Sequence, residues 1–253
     1  MPIFRALLLA AGALALPIGG ARAAPVPNHL KNIVLVHGAY ADGSGWRGVY
    51  DILVRDGYAV SIVSQPLTSL DDDIAATKRV LDMQKGPVVL VGHSYGGQII
   101  TDAGADPNVK ALVYVAALQP DVGESVFSLA KTMELPNGDG RESADGFLYL
   151  APEKFVANFA ADVPADLAAF MKASQMPVAK LAFMQTTKVA SWRSKPSYGI
   201  VATKDVALNA NLERWMYKRA GAKITEIDAS HAVFISNPQA VAAVIEEAAR
   251  AVK

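Results

Sequence analysis

The stretch Val88-Val89-Leu90-Val91-Gly92-His93-Ser94-Tyr95-Gly96-Gly97 constrains this chain more than any other. Four apolar, mostly β-branched residues end abruptly at Gly-x-Ser-x-Gly, and a helical pattern follows at once. Between a strand and a helix, that pattern forms a tight turn that holds the serine hydroxyl exposed above a sheet. The turn is strained, and Cβ atoms at 92 and 96 would collide with the adjoining strand and helix, so glycine is needed at both. The helix is read as starting at the serine, which aims its free N–H groups and positive dipole end at the hydroxyl. Ser94 is the candidate nucleophile.

The flanking sequence repeats one rhythm. Ile33–Val36 reads as a buried strand ending at His37-Gly38, and a glycine-rich loop and a helical stretch from Trp46 to Arg55 follow. Tyr58–Val63 is a second strand. Ser69, with Asp72 three residues on, opens a helix in capping-box style, and Leu70, Ile74, Thr77 and Leu81 recur at helical spacing. After the Ser94 strand and its helix (Gln98–Ala105), Val109–Val115 is a fourth, largely apolar strand. Apolar strands separated by amphipathic helices predict an α/β fold with a mostly parallel sheet covered on both faces.

The rhythm stops at Leu118-Gln119-Pro120. From 118 to 191 the pattern is helical and irregular, broken by prolines 136, 152, 164 and 177. It is rich in bulky apolar side chains: Met133, Phe147, Tyr149, Phe155, Phe159, Phe170, Met171, Met176, Phe183 and Met184. They can fill a core of their own or line a pocket over the serine; about a third are expected to face a ligand. Alternation resumes with a strand at Ser197–Thr203, a helix at Leu208–Ala220, a strand at Lys223–Ile227 and a closing helix at Asn237–Val252. The expected organisation is a core of residues 24–117 and 192–253 with a small helical cap inserted at 118–191.

A serine hydroxyl is a poor nucleophile at neutral pH and needs a base. The chain has four histidines. His29 precedes the first strand, His37 belongs to a strand-end motif, and His93 adjoins the serine with its side chain expected to point elsewhere. His231, in Asp228-Ala229-Ser230-His231-Ala232, lies just past the last strand, on the rim shared by the carboxyl ends of parallel strands. It is the candidate base. Asp205, following Val201-Ala202-Thr203-Lys204, is the candidate acid that orients it, giving the chain order Ser94, Asp205, His231. Asp121 is its main rival, and Asp228 lies too close to His231 along the chain to be as good. Two backbone N–H groups should hold a developing oxyanion: Tyr95, from the turn itself, and Ala39, from the loop after the first strand.

Composition removes other classes. Lys plus Arg equals Asp plus Glu at 24 each, with no long block of like charge, so nothing points to nucleic acid as a partner. The absence of cysteine excludes disulfides, thiolate metal sites and a cysteine nucleophile. At the N-terminus, Arg5, the apolar run Ala6–Ile18 and the small residues of Ala21-Arg22-Ala23 form an export signal pattern. Cleavage after Ala23 (a signal peptide of residues 1–23) is expected to deliver the protein to the periplasm or beyond. The apolar run is short for a membrane span, so no stable membrane anchor is expected.

Leu35-Val36-His37-Gly38-Ala39 with Gly45-Trp46, Gly92-His93-Ser94-Tyr95-Gly96-Gly97, and Ser230-His231-Ala232-Val233-Phe234 together give the mature chain a resemblance to the α/β-hydrolase superfamily. More narrowly, it resembles a bacterial branch related to plant methyl esterases and hydroxynitrile lyases. The resemblance implies an α/β-hydrolase fold and hydrolysis of a small-molecule ester through an acyl-serine intermediate, without metal or cofactor. Two departures separate this chain from the lyases: Ala232 stands where they carry lysine after the histidine, and Gly38 where they carry threonine. The primary expectation is a serine hydrolase for small to medium, largely apolar carboxylic esters. A cofactor-free perhydrolase or haloperoxidase-like enzyme, or a ligand-binding protein with little catalysis, remain as alternatives. Nothing in the sequence fixes the oligomeric state.

Overall fold

The computed structural model describes residues 31–133 and 140–252. The export signal pattern, His29 and Pro136 lie outside the described residues. The first half builds β1 (Asn32–Val36), α1 (Arg47–Arg55), β2 (Ala59–Val63), α2 (Leu70–Asp82), β3 (Val88–His93), α3 (Gly96–Ala103) and β4 (Val109–Val115). The inserted segment contributes α4 (Val126–Thr132), β5 (Gly140–Glu142), β6 (Phe147–Leu150), α5 (Pro152–Phe159), α6 (Ala165–Ala173), β7 (Val178–Ala179) and α7 (Lys180–Met184). Then follow β8 (Ser197–Ala202), α8 (Ala210–Arg219), β9 (Lys223–Ile227), α9 (Val233–Ser236) and α10 (Pro238–Ala251).

Among the described residues, six strands form one parallel sheet in the order β2-β1-β3-β4-β8-β9. Successive strand residues point to opposite faces, and in the central strands β1, β3, β4 and β8 both faces are almost wholly buried, which is why these strands read as largely apolar runs. Val34, Val36, Val88, Leu90, Leu112 and Tyr114 pack under α2, α3 and α8. Ile33, Leu35, Val89, Val91, Val113 and Val115 pack against α1 and α10 on the other side. The chain leaves β1 towards one edge and returns at β3 beside it, so β1 and β3 flank the point where the winding reverses. Loops at the carboxyl ends of the strands open a crevice at such a point.

Local signals agree with this placement. The Ser69 hydroxyl accepts the Asp72 N–H at 3.0 Å, capping α2. Asp71, Asp72 and Asp73 sit in its first turn, where the helix dipole favours negative charge. Leu70, Ile74, Thr77 and Leu81 are all buried, as their spacing predicts. The inserted segment adds something that its sequence does not announce. Beside its helices, β5, β6 and β7 form a small antiparallel sheet. Strands of two to four residues are too short to display the alternation by which a strand is read from sequence.

Candidate active site

Ser94 follows β3 with φ of +53°, a left-handed conformation that is costly for a residue with a side chain. Close packing holds it there. A Cβ on Gly92 would stand 2.5 Å from the Gly96 carbonyl oxygen, and one on Gly96 would stand 2.6 Å from that of His37. The Ser94 carbonyl accepts from the N–H groups of Gly97 (2.9 Å) and Leu118 (3.1 Å), pinning the turn on both sides. Helix α3 accordingly begins at Gly96 rather than at the serine, because a residue at positive φ cannot belong to a right-handed helix.

His231 and Asp205 are adjacent. His231 Nδ1 lies 2.5 Å from Asp205 Oδ2, and both side chains are buried. A carboxylate can only accept, so Nδ1 carries a proton, and in the neutral ring the lone pair is therefore on Nε2. The other Asp205 oxygen, Oδ1, accepts the N–H groups of Ala207 (2.8 Å) and Leu208 (2.9 Å), which fixes the carboxylate plane. Its rivals are engaged elsewhere: Asp121 pairs with Arg193, and Asp228 with Lys204 at the surface. Ser94 and His231 border the same cavity, together with Ala39 and Tyr95. Among the described residues, the N–H groups of Ala39 and Tyr95 make no hydrogen bond. Gly38 brings the first loop against the turn: a Cβ there would lie 2.7 Å from Ser94 Cβ.

The His93 side chain reaches the backbone of the His231 loop. Its Nε2 donates to the His231 carbonyl at 3.0 Å, and the two rings sit 4.7 Å apart. Burial, then the neighbouring His231, hold the His93 imidazole well below the usual histidine range, so it stays neutral. A residue beside a nucleophile and aimed across the sheet rim was available in the sequence; its partner was not, because a backbone carbonyl leaves no sequence mark. Phe159 closes the other side, its ring 4.8 Å from that of His231, while its carbonyl accepts the Ala232 N–H. Asp162 accepts from the Ser230 N–H and hydroxyl. The His231 loop is thus clamped between the core and the inserted segment. A His93→Leu variant, which leaves the His231 carbonyl unpaired and the loop looser, is expected to lose about 10- to 100-fold in kcat on an activated ester, with unchanged secondary structure by circular dichroism.

The cavity measures about 430 Å³ and is mainly apolar, walled by Tyr40, Leu118, Phe127, Leu148, Phe159, Phe183 and Leu208. Of the ten bulky residues singled out in the inserted segment, Phe159 and Phe183 border it. Phe155 is buried behind Phe159, and Phe170 and Met184 are exposed. Fewer than the expected third face the cavity; β6 supplies Leu148 and Leu150 instead. Among the described residues, no cluster of side chains could hold a metal ion.

Tyr95 is anchored from below. Its hydroxyl donates to Asp73 Oδ2 at 2.8 Å, while Asp73 Oδ1 accepts the Leu67 N–H at 2.8 Å. Burial pushes the Asp73 carboxyl up to about 6, the two hydrogen bonds pulling against it. A carboxyl raised on folding stays protonated longer in the native state, so it withdraws stability as pH rises from its unfolded value towards 6. The stability gap between Asp73→Asn and the wild type should therefore shift in favour of Asn by about 2 kcal/mol between pH 4 and pH 7. Urea denaturation at both pH values checks this; a constant gap contradicts it.

The model of the alpha/beta hydrolase family matches residues 33–244. A carbendazim hydrolyzing esterase from Nocardioides sp. (strain SG-4G) is 32% identical over 115 residues, covering 40% of this chain and 47% of that protein. The match therefore spans about half of that relative's length. An alpha/beta hydrolase from Aspergillus novofumigatus (strain IBT 16806) is 25% identical over 242 residues, covering 86% of this chain and 96% of the other. Among solved structures, a methylesterase protein from Arabidopsis superposes with a TM-score of 0.72 at 19% identity, over 86% of this chain and 98% of its own. A six-stranded parallel sheet, a serine held at positive φ after its third strand and a family match across most of its length agree: the chain belongs to the alpha/beta hydrolase family.

Proposed function

We propose that this protein is a carboxylic ester hydrolase for small to medium, largely apolar esters, working through an acyl-serine intermediate. Ser94 attacks the ester carbonyl while His231 Nε2 takes its proton. Asp205 orients the imidazole and stabilises its charged form. The Ala39 and Tyr95 N–H groups receive the developing oxyanion. Collapse expels the alcohol, protonated by His231, and a water activated by the same imidazole releases the acid. The inserted segment 118–191 acts as a cap whose apolar side chains hold the acyl or alcohol group. The observation that carries this reading is the His231–Asp205 contact at the edge of the cavity that Ser94 borders. The esterase name of the Nocardioides relative supports the reaction class.

Turnover across a panel of p-nitrophenyl esters tests the reading. Because the cavity walls are apolar, each added acyl methylene that is buried should raise kcat/KM about fourfold, equivalent to about 0.8 kcal/mol, until the cavity is full. A folded protein that turns over no ester in the panel would refute it. Among the described residues, no helix is long and apolar enough to cross a membrane. We further propose export, with cleavage after Ala23. N-terminal sequencing of protein recovered from the periplasm or medium should begin at Ala24; retention of Met1 would contradict it.

A further inference from the structure

Asp205 has a neighbour to which the proposed reaction assigns no task. Glu213, on α8, is fully buried. Its carboxyl lies against that of Asp205 and near the Ala202 backbone N–H, and among the described residues neither of its oxygens has a partner in hydrogen-bonding geometry. Both Asp205 oxygens are already engaged, one by the Ala207 and Leu208 N–H groups and one by His231. Two ionised carboxylates side by side in a dry interior repel strongly, and a buried charge without a partner is costly. Among the described residues, no lysine or arginine cation pairs with either carboxyl. Arg214, next along the helix, turns outward to Glu226 at 2.8 Å. The Tyr217 hydroxyl, one turn further on, exchanges hydrogen bonds with the Ala117 backbone, and the Tyr114 hydroxyl lies against Thr101.

A proton on Glu213 removes the repulsion and turns the carboxyl into a donor for Asp205. Burial, then the adjacent Asp205, push the Glu213 carboxyl well above the usual carboxylate range. We propose that protonated Glu213 is a positioning residue that donates a hydrogen bond to Asp205 and so tunes the acceptor seen by His231. The proposal rests on the serine hydrolase reading above for its catalytic consequence. The proton stays on Glu213 throughout the reaction. A donor on Asp205 spreads the carboxylate charge and moderates its hold on the imidazolium. Without that donor, His231 is protonated at higher pH, and the free base is lost earlier on acidification.

Two variants separate this role from space filling. Glu213→Leu keeps the bulk and removes the donor, whereas Glu213→Gln keeps a neutral N–H donor in place. In Glu213→Leu the acid limb of kcat/KM should move up by about one pH unit, with kcat at pH 7 about tenfold lower. Glu213→Gln should keep the wild-type limb and restore kcat to within about threefold. The low-field NMR resonance of the proton between His231 and Asp205 should shift in the Leu variant and return in the Gln variant. That readout needs no turnover, so it judges Glu213 even if the protein hydrolyses no ester. A Leu variant with the wild-type profile and resonance overturns the proposal. So does a folded Gln variant with a displaced resonance, which decides the matter alone if the Leu variant does not fold.

Discussion

Replacing Ser94 by alanine is expected to leave a folded protein whose kcat on a p-nitrophenyl ester is lower by about six orders of magnitude. The hydroxyl is the atom that becomes covalently bound in the proposed reaction, and no cysteine exists to substitute for it. The left-handed turn is held by glycines 92 and 96 and by hydrogen bonds to the Ser94 backbone, none of which involves the hydroxyl, so the fold should survive. His231→Ala should cost nearly as much, and the double variant hardly more than either single one, because the two groups act as one unit. Asp205→Asn should be milder, at about 10⁴-fold. The asparagine side chain retains the contact with the Ala207 and Leu208 N–H groups but presents an amide to Nδ1, favouring the wrong tautomer. Steady-state kinetics on the four proteins, with circular dichroism as a control, checks the series. Fully additive losses in the double variant would mean that Ser94 and His231 do not cooperate.

The second large effect concerns stability. A Cβ on Gly97 would lie 2.0 Å from the Leu118 carbonyl oxygen and 2.9 Å from Ala117 Cβ. The obstacle is backbone, and that backbone is tied to the turn at Ser94 by the Leu118 N–H to Ser94 carbonyl bond. No side-chain rotation relieves the clash; α3 or the strand end after β4 must shift by an ångström or more. Overpacking of this kind costs about 3 kcal/mol or more, a large part of the 5–15 kcal/mol that holds an ordinary domain together. Gly97→Ala should therefore lower the urea midpoint sharply and cut activity in whatever remains folded. Gly140→Ala, where an added Cβ meets nothing within 4 Å among the described residues, should be nearly neutral. Equal midpoints for the two variants would contradict the packing argument.

What the sequence made legible follows from where its signals are local. The turn at Ser94 is written in five consecutive residues, and the strand rhythm around it is written in apolar runs, so the sheet and the rim could be anticipated. The meeting of Asp205 with His231 could be anticipated because each follows a strand, and parallel strands deliver their loops to one rim. Contacts made through the backbone or inside a helix escaped. The partner of His93 is one, since nothing in a sequence marks the carbonyl of residue 231 as its acceptor. Glu213 sits mid-helix between Leu212 and Arg214, where a glutamate ordinarily faces water; only the packing of α8 shows that it faces Asp205. The strands β5 to β7 were too short to leave a periodic trace.

The most direct measurement is intact-mass analysis of the protein after exposure to a fluorophosphonate, a reagent that phosphonylates activated serines. The account predicts a single adduct, mapped by peptide sequencing to Ser94, formed quickly by the wild type, slowly by His231→Ala and not at all by Ser94→Ala. An unmodified wild-type protein, or an adduct on any other serine, would contradict it.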